Sequence, residues 1–320
     1  MALSLEEFLE EWNNSSPYVH VQTSGSTGTP KPILVEKRRM LNSARITCDF
    51  LGLKPGDTAL LCMSLDYIAG KMMVVRSIER GLKLIVQEPN GHPMAEHIGD
   101  VDFAAMVPMQ VYNSLQVPEE RERLKHIKHL IIGGGAIDDA LADELKTFPN
   151  AVWSTYGMTE TLSHIALRRL SGPEVSEFYT PFPGVRLSLS DEGCLVIDAP
   201  EVCPEPLVTN DIAELSSQNF KILGRKDNII CSGGIKIQAE EVERQLRPYM
   251  RVHYLISKRP DPKFGEIVVL LTEGFIDEAR EVCQRVLPKY HQPRAYIHLD
   301  HIPLTETGKP ARKQAEQSIR

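Results

Sequence analysis

Short apolar runs alternate with amphipathic stretches between residues 58 and 157, and this alternation constrains the fold more than any other feature of the sequence. The amphipathic stretches have the periodicity of helices, as in IAGKMMVVRSIERG and DDALADELKTF. The apolar runs have the length and residue types of buried strands: TALLCM, LKLIVQE, VDFAAMVP, HLIIGGG and AVWSTYG. Strands that alternate with helices predict a parallel sheet that is covered on both faces.

Two further patterns follow this region. Short strands separated by turn residues predict a small β subdomain: RLSLS, CLVIDA and FKILG. From about Arg225 the order helix, strand, strand, helix, strand, helix predicts a compact α+β module, and a chain of 320 residues suits two domains. The predicted fold class is therefore α/β. A large N-terminal domain (1–224) would contain a mixed, mostly parallel sheet and the β subdomain, and a small α+β C-terminal domain (225–320) would follow.

The net charge and the cysteine content indicate which kinds of binding partner and which cellular compartment suit this protein. A net charge of −7 and a pI near 5.8 argue against a nucleic acid or an anionic membrane as the main partner. Six scattered cysteines with no C-x-x-C pair indicate reduced thiols, which predicts a cytoplasmic protein. Nowhere does an apolar run reach the roughly 18 residues of a transmembrane helix, so none is expected.

The stretch QTSGSTGTPKP, residues 22–32, is rich in glycine and in hydroxyl side chains. Glycine lets backbone N–H groups approach an oxyanion, and hydroxyls donate further hydrogen bonds, so such a loop can bind phosphate. A Walker A loop is excluded, because Lys31 lies between two prolines and the G-K-[ST] run is absent. From composition alone, a solvated linker explains the stretch as well as a phosphate site does.

The segment TSGSTGTPK resembles the phosphate loop of the adenylate-forming superfamily, which includes acyl-CoA synthetases, luciferases and the adenylation domains of peptide synthetases. Four more segments resemble its signatures in the same order along the chain: STYGMTET, TNDIAEL, GRKDNIICSGGIKIQAEEVE and TETGKPARK. The C-terminal part is also similar to the o-succinylbenzoate–CoA ligases of menaquinone biosynthesis. The resemblance implies an AMP-forming acid–thiol ligase that uses ATP and Mg²⁺, with coenzyme A as co-substrate. The acid would attack the α-phosphorus of ATP to form an acyl-AMP, and the thiol of CoA would then displace AMP.

The resemblance also implies a nucleotide site. Thr159 would contact the α-phosphate, and Glu160 would hold Mg²⁺, a hard ion that prefers oxygen ligands. The adenine would lie against Tyr156 and Gly157, and the ribose against Asp211 and Arg225. The β- and γ-phosphates would be held by the loop residues Thr23, Ser24, Gly25, Ser26, Thr27, Gly28 and Lys31.

The C-terminal domain would take part in both steps. Lys309, in a glycine-punctuated loop, is implied to be the catalytic cation that reaches the carboxylate and the α-phosphate together. Asp227 stands where the superfamily has its hinge, so the small domain is predicted to be mobile. Gly233 and Gly234 would lie close to the pantetheine arm of CoA, although a simple β-turn explains the pair equally well.

The acid pocket is predicted from two cations in an apolar helix. Lys71 and Arg76 lie five positions apart in that helix. An interior arginine would suit a second carboxylate, since its planar fork binds one bidentately, and the substrate of the o-succinylbenzoate ligases carries an aromatic ring and two carboxylates. The alternative is that both side chains reach solvent. The predicted pocket comprises Tyr67, Gly70, Lys71, Arg76, Gly133, Gly134 and Gly135.

The sequence departs from the superfamily pattern at its start. It begins close to the phosphate loop, so we expect the usual N-terminal subdomain to be missing and part of the acyl and CoA surface to be simplified or supplied by another subunit, as in a homodimer. Asn210 also replaces a glycine of the pattern. The alternatives are another aryl- or acyl-CoA ligase, an enzyme that passes its acyl group to a carrier protein, and a non-catalytic acyl-adenylate-binding protein.

Overall fold

A computed structural model describes residues 3–22, 32–135, 137, 139–304 and 310–319 of the chain. The chain divides into two compact units. Unit 1 consists of Met1–Leu187, Ile197–Leu207 and Ser216–Phe220, and unit 2 consists of Ser188–Val196, Val208–Leu215 and Lys221–Arg320. The predicted domain boundary between residues 224 and 225 stays a prediction.

Nine α-helices lie within the described residues. They are α1 (Leu5–Asn13), α2 (Lys37–Leu51), α3 (Ile68–Arg80), α4 (Pro108–Leu115), α5 (Pro118–His126), α6 (Asp139–Leu145), α7 (Ala239–Leu246), α8 (Ile276–Val286) and α9 (Arg312–Ser318). None of these helices is long and apolar enough to cross a membrane.

The same residues contain eighteen strands. The first nine are β1 (Tyr18–Gln22), β2 (Pro32–Glu36), β3 (Thr58–Leu61), β4 (Lys83–Val86), β5 (Phe103–Met106), β6 (His129–Ile132), β7 (Ala151–Gly157), β8 (His164–Arg169) and β9 (Thr180–Pro181). The others are β10 (Arg186–Leu189), β11 (Cys194–Asp198), β12 (Leu207–Ser216), β13 (Asn219–Arg225), β14 (Ile229–Ser232), β15 (Ile235–Gln238), β16 (Tyr254–Asp261), β17 (Gly265–Thr272) and β18 (Ala295–His298).

A seven-stranded sheet forms the centre of unit 1, in the order β4-β3-β5-β6-β7-β8-β9. Its first five strands are parallel, and β8 and β9 continue it in antiparallel fashion. Every residue of the central strand β5 is buried, as expected when both faces of a parallel sheet are covered. The predicted mixed, mostly parallel sheet is thereby confirmed.

Helix α3 is buried along most of its length. It begins after Tyr67 and ends at Gly81, which adopts the left-handed conformation (φ +67°) that favours glycine. Every residue from Gly70 to Ser77 is buried, whatever its helical position, so this helix runs through the core. Lys71 and Arg76 therefore both lie inside the protein, and the alternative that these two side chains reach solvent is wrong.

Helix α1 and a hairpin precede the large sheet. Helix α1 begins with a capping box: Ser4 Oγ accepts a hydrogen bond from Glu7 N (3.2 Å), and Glu7 Oε2 accepts one from Ser4 N (2.8 Å). Strands β1 and β2 pair antiparallel, and the last pair is Gln22 with Pro32. The stretch 23–31, predicted to bind phosphate, joins these two strands but lies outside the described residues.

Two smaller sheets complete the fold. The predicted β subdomain is a four-stranded sheet in the order β10-β11-β12-β13. The predicted α+β module contains a sheet in the order β15-β14-β17-β16, with β18 parallel to β17. Its core packs Ile256, Val268 and Leu270 against Val242 of α7 and Cys283 of α8.

Candidate active site

In unit 1 the predicted site residues gather at the carboxyl ends of the parallel strands. Gly133, Gly134 and Gly135 directly follow β6, and Thr159 and Glu160 follow β7. Ligands of open α/β sheets bind at this edge, since the loops there are free of sheet hydrogen bonds.

A tight turn connects β7 with β8 (residues 158–163, the 158–163 turn). Thr159 to Thr161 form one turn of 3₁₀-helix, and the hydroxyl of Thr161 accepts a hydrogen bond from Met158 N (3.0 Å). Leu162 has φ +65°, a conformation that is strained for a residue with a β-carbon. A Cβ on Gly157 would lie 2.3 Å from Ser163 O, so this position needs glycine for packing. The turn leaves Glu160 exposed and brings Ser163 inward.

Tyr156 belongs to an aromatic cluster in unit 1. Its ring centroid lies 5.0 Å from that of Phe220 and 5.8 Å from that of Tyr179. The Tyr179 hydroxyl is 2.8 Å from Ser154 Oγ, which fixes the second ring. Sequence reasoning found Tyr156 by its motif but missed Tyr179 and Phe220, which lie far along the chain in segments without a motif.

Arg76 is a buried cation without a carboxylate partner among the described residues. Its side chain is fully enclosed, at 2% exposure for the residue. Nη2 donates a hydrogen bond to Ser163 Oγ (2.7 Å), Nη1 reaches only Met73 Sδ (3.8 Å), and within the described residues Nε has no partner. Burial lowers the pKa of Arg76 to about 10. The sequence predicts this arginine in the acid pocket. Its positive charge has no anionic partner among the described residues.

Three polar residues lie behind Arg76. The Nδ1 atom of His164 is 3.2 Å from Ser163 Oγ, and its Nε2 is 3.2 Å from Thr47 Oγ1. The Thr47 hydroxyl also donates to Ser43 O on the preceding turn of α2 (3.0 Å). Burial, and secondly the charge of Arg76, lower the pKa of His164 well below its usual value. None of these residues was predicted, since a lone Ser, Thr or His carries no pattern in sequence.

Lys71 has a different environment from Arg76. Its Nζ donates to the backbone carbonyl of His20 at 2.5 Å and lies 5.6 Å from the centre of the Phe8 ring. Burial lowers the pKa of Lys71, although nearby carboxylates oppose the change. The amine thus joins α3 to β1, and its predicted contact with substrate stays a prediction.

Two of the predicted pocket glycines have packing roles. A Cβ on Gly70 would lie 2.3 Å from Ser64 O, and one on Gly133 would lie 2.3 Å from Thr155 Oγ1. Gly134 has φ +76°, which other residues rarely adopt. Contacts of these glycines, of Gly135 and of Tyr67 with an acyl group stay predictions.

In unit 2, three predicted residues come together. Arg225 Nη1 lies 3.3 Å from Asp211 Oδ1, and Arg225 Nη2 lies 3.3 Å from Asp227 Oδ2. Gly233 and Gly234 form the two-residue turn between β14 and β15, with φ +58° and +85°. A hairpin turn with two positive φ angles strongly favours two glycines. The β-turn therefore explains the pair, and its contact with CoA stays a prediction.

Two predicted groups lie outside the described residues: Lys309 and the loop residues Thr23, Ser24, Gly25, Ser26, Thr27, Gly28 and Lys31. The isolated pairing of Leu304 with Pro310 flanks the first of these groups. In the part of the chain that the structure describes, no three His, Cys, Asp or Glu side chains are placed to hold a metal ion.

Comparison with known proteins agrees with this geometry. The family model for AMP-binding enzyme matches residues 5–201. An acyl-CoA synthetase (AMP-forming)/AMP-acid ligase II-like protein from Dyadobacter fermentans is 33% identical, with a TM-score of 0.67, over 98% of this chain and 93% of its own. This chain belongs to the AMP-binding enzyme family.

Two further relatives have lower sequence identity to this chain. The 2-succinylbenzoate–CoA ligase of Listeria monocytogenes is 25% identical over 97% of this chain and 72% of its own length. The o-succinylbenzoate coenzyme A synthetase of Bacillus subtilis, solved with ATP and a magnesium ion, has a TM-score of 0.75 at 22% identity, over 92% of this chain and 69% of its own. The prediction of an AMP-forming acid–CoA ligase is confirmed as an enzyme class, while the acid it uses stays a prediction.

Proposed function

We propose that this chain activates o-succinylbenzoate with ATP and transfers the acyl group to CoA, as one step of menaquinone biosynthesis. The observation that carries the proposal is Arg76, buried beside the 158–163 turn without a carboxylate among the described residues. The names of the curated relatives at about 25% identity support the same acid.

The physical argument concerns the cost of a buried charge. An unpaired ion inside a protein costs several kcal/mol, so buried cations are normally paired. Arg76 has one hydroxyl, one thioether and the Phe103 ring at 6.0 Å as partners, and Nε–H has no partner within the described residues. A guanidinium binds a carboxylate through two parallel hydrogen bonds. The second carboxylate of o-succinylbenzoate supplies the missing anion, which a fatty acid or a benzoate lacks.

The first step joins the acid to AMP. The reacting carboxylate attacks the α-phosphorus of ATP, and pyrophosphate leaves. Thr159 and the loop residues through Lys31 bind the phosphates, Tyr156 lies at the adenine, and Lys309 stabilises the charge that develops between carboxylate and α-phosphate. Glu160 offers an exposed carboxylate oxygen, which suits Mg²⁺. The ion would neutralise phosphate charge, and phosphate and water oxygens would complete its ligands.

The second step forms the thioester. The sulfur of CoA attacks the acyl carbon, and AMP leaves. Asp211 and Arg225, which are in contact, bind the ribose in this proposal. Rotation about Asp227 would exchange the Lys309 loop for the turn at Gly233 and Gly234, which then lies along the pantetheine arm.

The test is pyrophosphate release with ATP, followed by AMP release with CoA, for o-succinylbenzoate, benzoate and a fatty acid. We expect kcat/KM to be at least about 100-fold higher for o-succinylbenzoate, because a buried polar site rejects acids that leave it unpaired. Replacing CoA by a phosphopantetheinyl carrier protein distinguishes the two acceptors. Pyrophosphate release at background with every acid would favour a non-catalytic acyl-adenylate-binding protein.

The variant Arg76→Met tests the residue itself. We expect kcat/KM for o-succinylbenzoate to fall about 100- to 1000-fold, the loss typical of removing one partner of a buried charge pair, with the KM for ATP unchanged. Arg80→Met is the matched control, because Arg80 lies on the same helix and pairs with Asp49 (2.5 Å). An unchanged KM for the acid in Arg76→Met would remove Arg76 from the pocket.

A further inference from the structure

We propose that His164 and Thr47 are positioning residues that set the orientation of Arg76 for the acid. The row of hydrogen bonds from Arg76 through Ser163, His164 and Thr47 ends on the backbone of α2. This inference rests on the proposed function and deepens it, because it names the groups that hold the acid-binding guanidinium in place.

The direction of each hydrogen bond follows from its donors and acceptors. Arg76 can only donate, so Ser163 Oγ accepts from it and directs its own hydrogen to His164 Nδ1. The Thr47 hydroxyl gives its hydrogen to Ser43 O, so its oxygen accepts from His164 Nε2. His164 therefore carries a hydrogen on Nε2, and in the neutral ring Nδ1 is left as the acceptor for the Ser163 hydroxyl.

The chemical environment keeps His164 in that state. The ring is buried and lies near the Arg76 charge, and both effects lower the pKa of His164 well below 6.5. The groups that touch the ring are the hydroxyls of Ser163 and Thr47 and, edge-on, the Phe182 ring at 5.4 Å between centroids. No described carboxylate lies close enough to raise the pKa of His164 measurably.

The row matters because the other groups near the guanidinium, the Phe103 ring at 6.0 Å and Met73 Sδ at 3.8 Å, direct it only weakly. Ser163 Oγ is the one oxygen within hydrogen-bond distance of the guanidinium among the described residues. A long side chain that is fixed before its ligand arrives loses less freedom on binding, which raises affinity. The orientation of Ser163 depends in turn on His164, and that of His164 on Thr47. Replacing the Thr47 hydroxyl, at the far end of the row, should therefore make the orientation of Arg76 less fixed without removing any contact with the substrate.

The experiment compares Thr47→Val with Thr47→Ser in the full-length protein. Valine keeps the shape but loses the acceptor for His164 Nε2, so we expect the KM for o-succinylbenzoate to rise about 10-fold, with kcat within about 2-fold and the KM for ATP unchanged. Serine restores the hydroxyl and should return the KM to within about 3-fold of wild type. The control Ser77→Ala removes a buried hydroxyl that bonds only to Met73 O on α3, and its KM should stay at the wild-type value.

A second pair of variants, at His164, tests the same inference if the Thr47 variants fail to fold. The amide oxygen of His164→Asn can accept from Ser163 as Nδ1 does, whereas His164→Leu cannot. We expect the leucine variant to have the higher KM for the acid, at equal ATP affinity. Equal acid KM values within both pairs would overturn the inference, as would an equal rise in the KM for ATP.

Failure of the inference can be told apart from failure of the proposed function. If the wild-type protein does not prefer o-succinylbenzoate to benzoate, the proposed function has failed, and the inference with it. If the wild-type preference holds but the KM of Thr47→Val equals that of Ser77→Ala, only the inference has failed.

Discussion

Arg76 in unit 1 is buried and Arg312 in unit 2 is partly buried, and the two arginines differ in what surrounds them. In unit 2, Arg312 Nη2 pairs with Glu243 Oε2 (2.7 Å), and Nη1 donates to Ile256 O (2.7 Å). In unit 1, Arg76 contacts a hydroxyl, a sulfur atom and the Phe103 ring, and none of these is an anion. Burial acts on both side chains, but the Glu243 carboxylate raises the pKa of Arg312, whereas the pKa of Arg76 falls to about 10.

The difference agrees with a structural role for Arg312 and, in the proposed function, with a binding role for Arg76. The charge of Arg312 is compensated within its own unit, and its bonds fasten the start of α9 to α7 and β16. The charge of Arg76 has no anionic partner among the described residues. An anion bound beside it would therefore be electrostatically favourable. The identity of the nearest acceptors distinguishes the two arginines more clearly than their burial does.

The largest effect is expected from breaking the pair in unit 2. Arg312→Met leaves Glu243 buried without a cation, which should lower the free energy of unfolding by about 3 kcal/mol. Arg76→Met, which removes an unpaired charge, should leave stability unchanged or raise it. Hydrogen exchange of the amides in α7 and β16 against denaturant reports on unit 2, and the fluorescence of Trp12 and Trp153 reports on unit 1.

The control for this prediction is the double variant Arg312→Met, Glu243→Met. Replacing both members of a buried pair by apolar residues should recover most of the loss. If Arg76→Met destabilises unit 1 as much as Arg312→Met destabilises unit 2, the contrast between the two arginines does not hold.

A smaller effect should follow from giving Arg76 a carboxylate of its own. In Ser163→Asp the new side chain lies where Arg76 Nη2 already donates a bond, so we expect the free energy of unfolding of unit 1 to rise by about 2 kcal/mol. The same change should abolish the preference for o-succinylbenzoate, because the internal carboxylate competes with the substrate. Tryptophan fluorescence and the acid panel measure the two effects, and a variant that keeps the preference would show that Arg76 does not bind the acid.

The smallest effect is a dependence of stability on pH that comes from His164. Its pKa in the folded protein lies well below the ordinary 6.5, so below that pH the unfolded chain binds more protons than the folded one. Stability should therefore fall as the pH drops from about 6.5, by at most about 1.4 kcal/mol per pH unit from this residue. His164→Gln should remove that slope between pH 6.5 and 5 in fluorescence-monitored unfolding. The pKa of His129, whose ring is half-buried, is also lowered. His129→Gln should reduce the dependence of stability on pH by less than His164→Gln does. Equal slopes in the two variants would contradict the prediction.

Much of the fold could be predicted because periodicity is a local property of the sequence. The strands β3, β5, β6 and β7 and the helix α3 each have their own apolar pattern, and the parallel direction of the strands follows from their alternation with helices. The hairpin of β1 and β2 was missed because nine residues separate its strands and no short-turn motif marks it. Helix α5 was missed because its sequence, PEERERLKH, has almost no apolar periodicity.

The residues of the candidate site also divide into those that the sequence predicts and those that it does not. Arg76 was predicted because a cation in an apolar helix is conspicuous, and Glu160 and Asp211 because their motifs are. The residues that decide the environment of Arg76 were not predicted, since Ser163 lies 87 positions away in sequence and the Thr47–His164 contact spans 117. Such contacts exist only after the sheet has formed, and no local pattern encodes them.

The contact between Lys71 and the His20 carbonyl has a consequence for the size of the substrate. One stiff helix holds both the strand β1, which leads into residues 23–31, and the guanidinium five residues further on. Five residues advance about 7.5 Å along a helix axis. In the proposed function, helix α3 would therefore act as a spacer of fixed length between the strand that leads into the predicted phosphate loop and the guanidinium that binds the distal acid group. Diacids that are too short or too long for that interval should lose one of their two attachments.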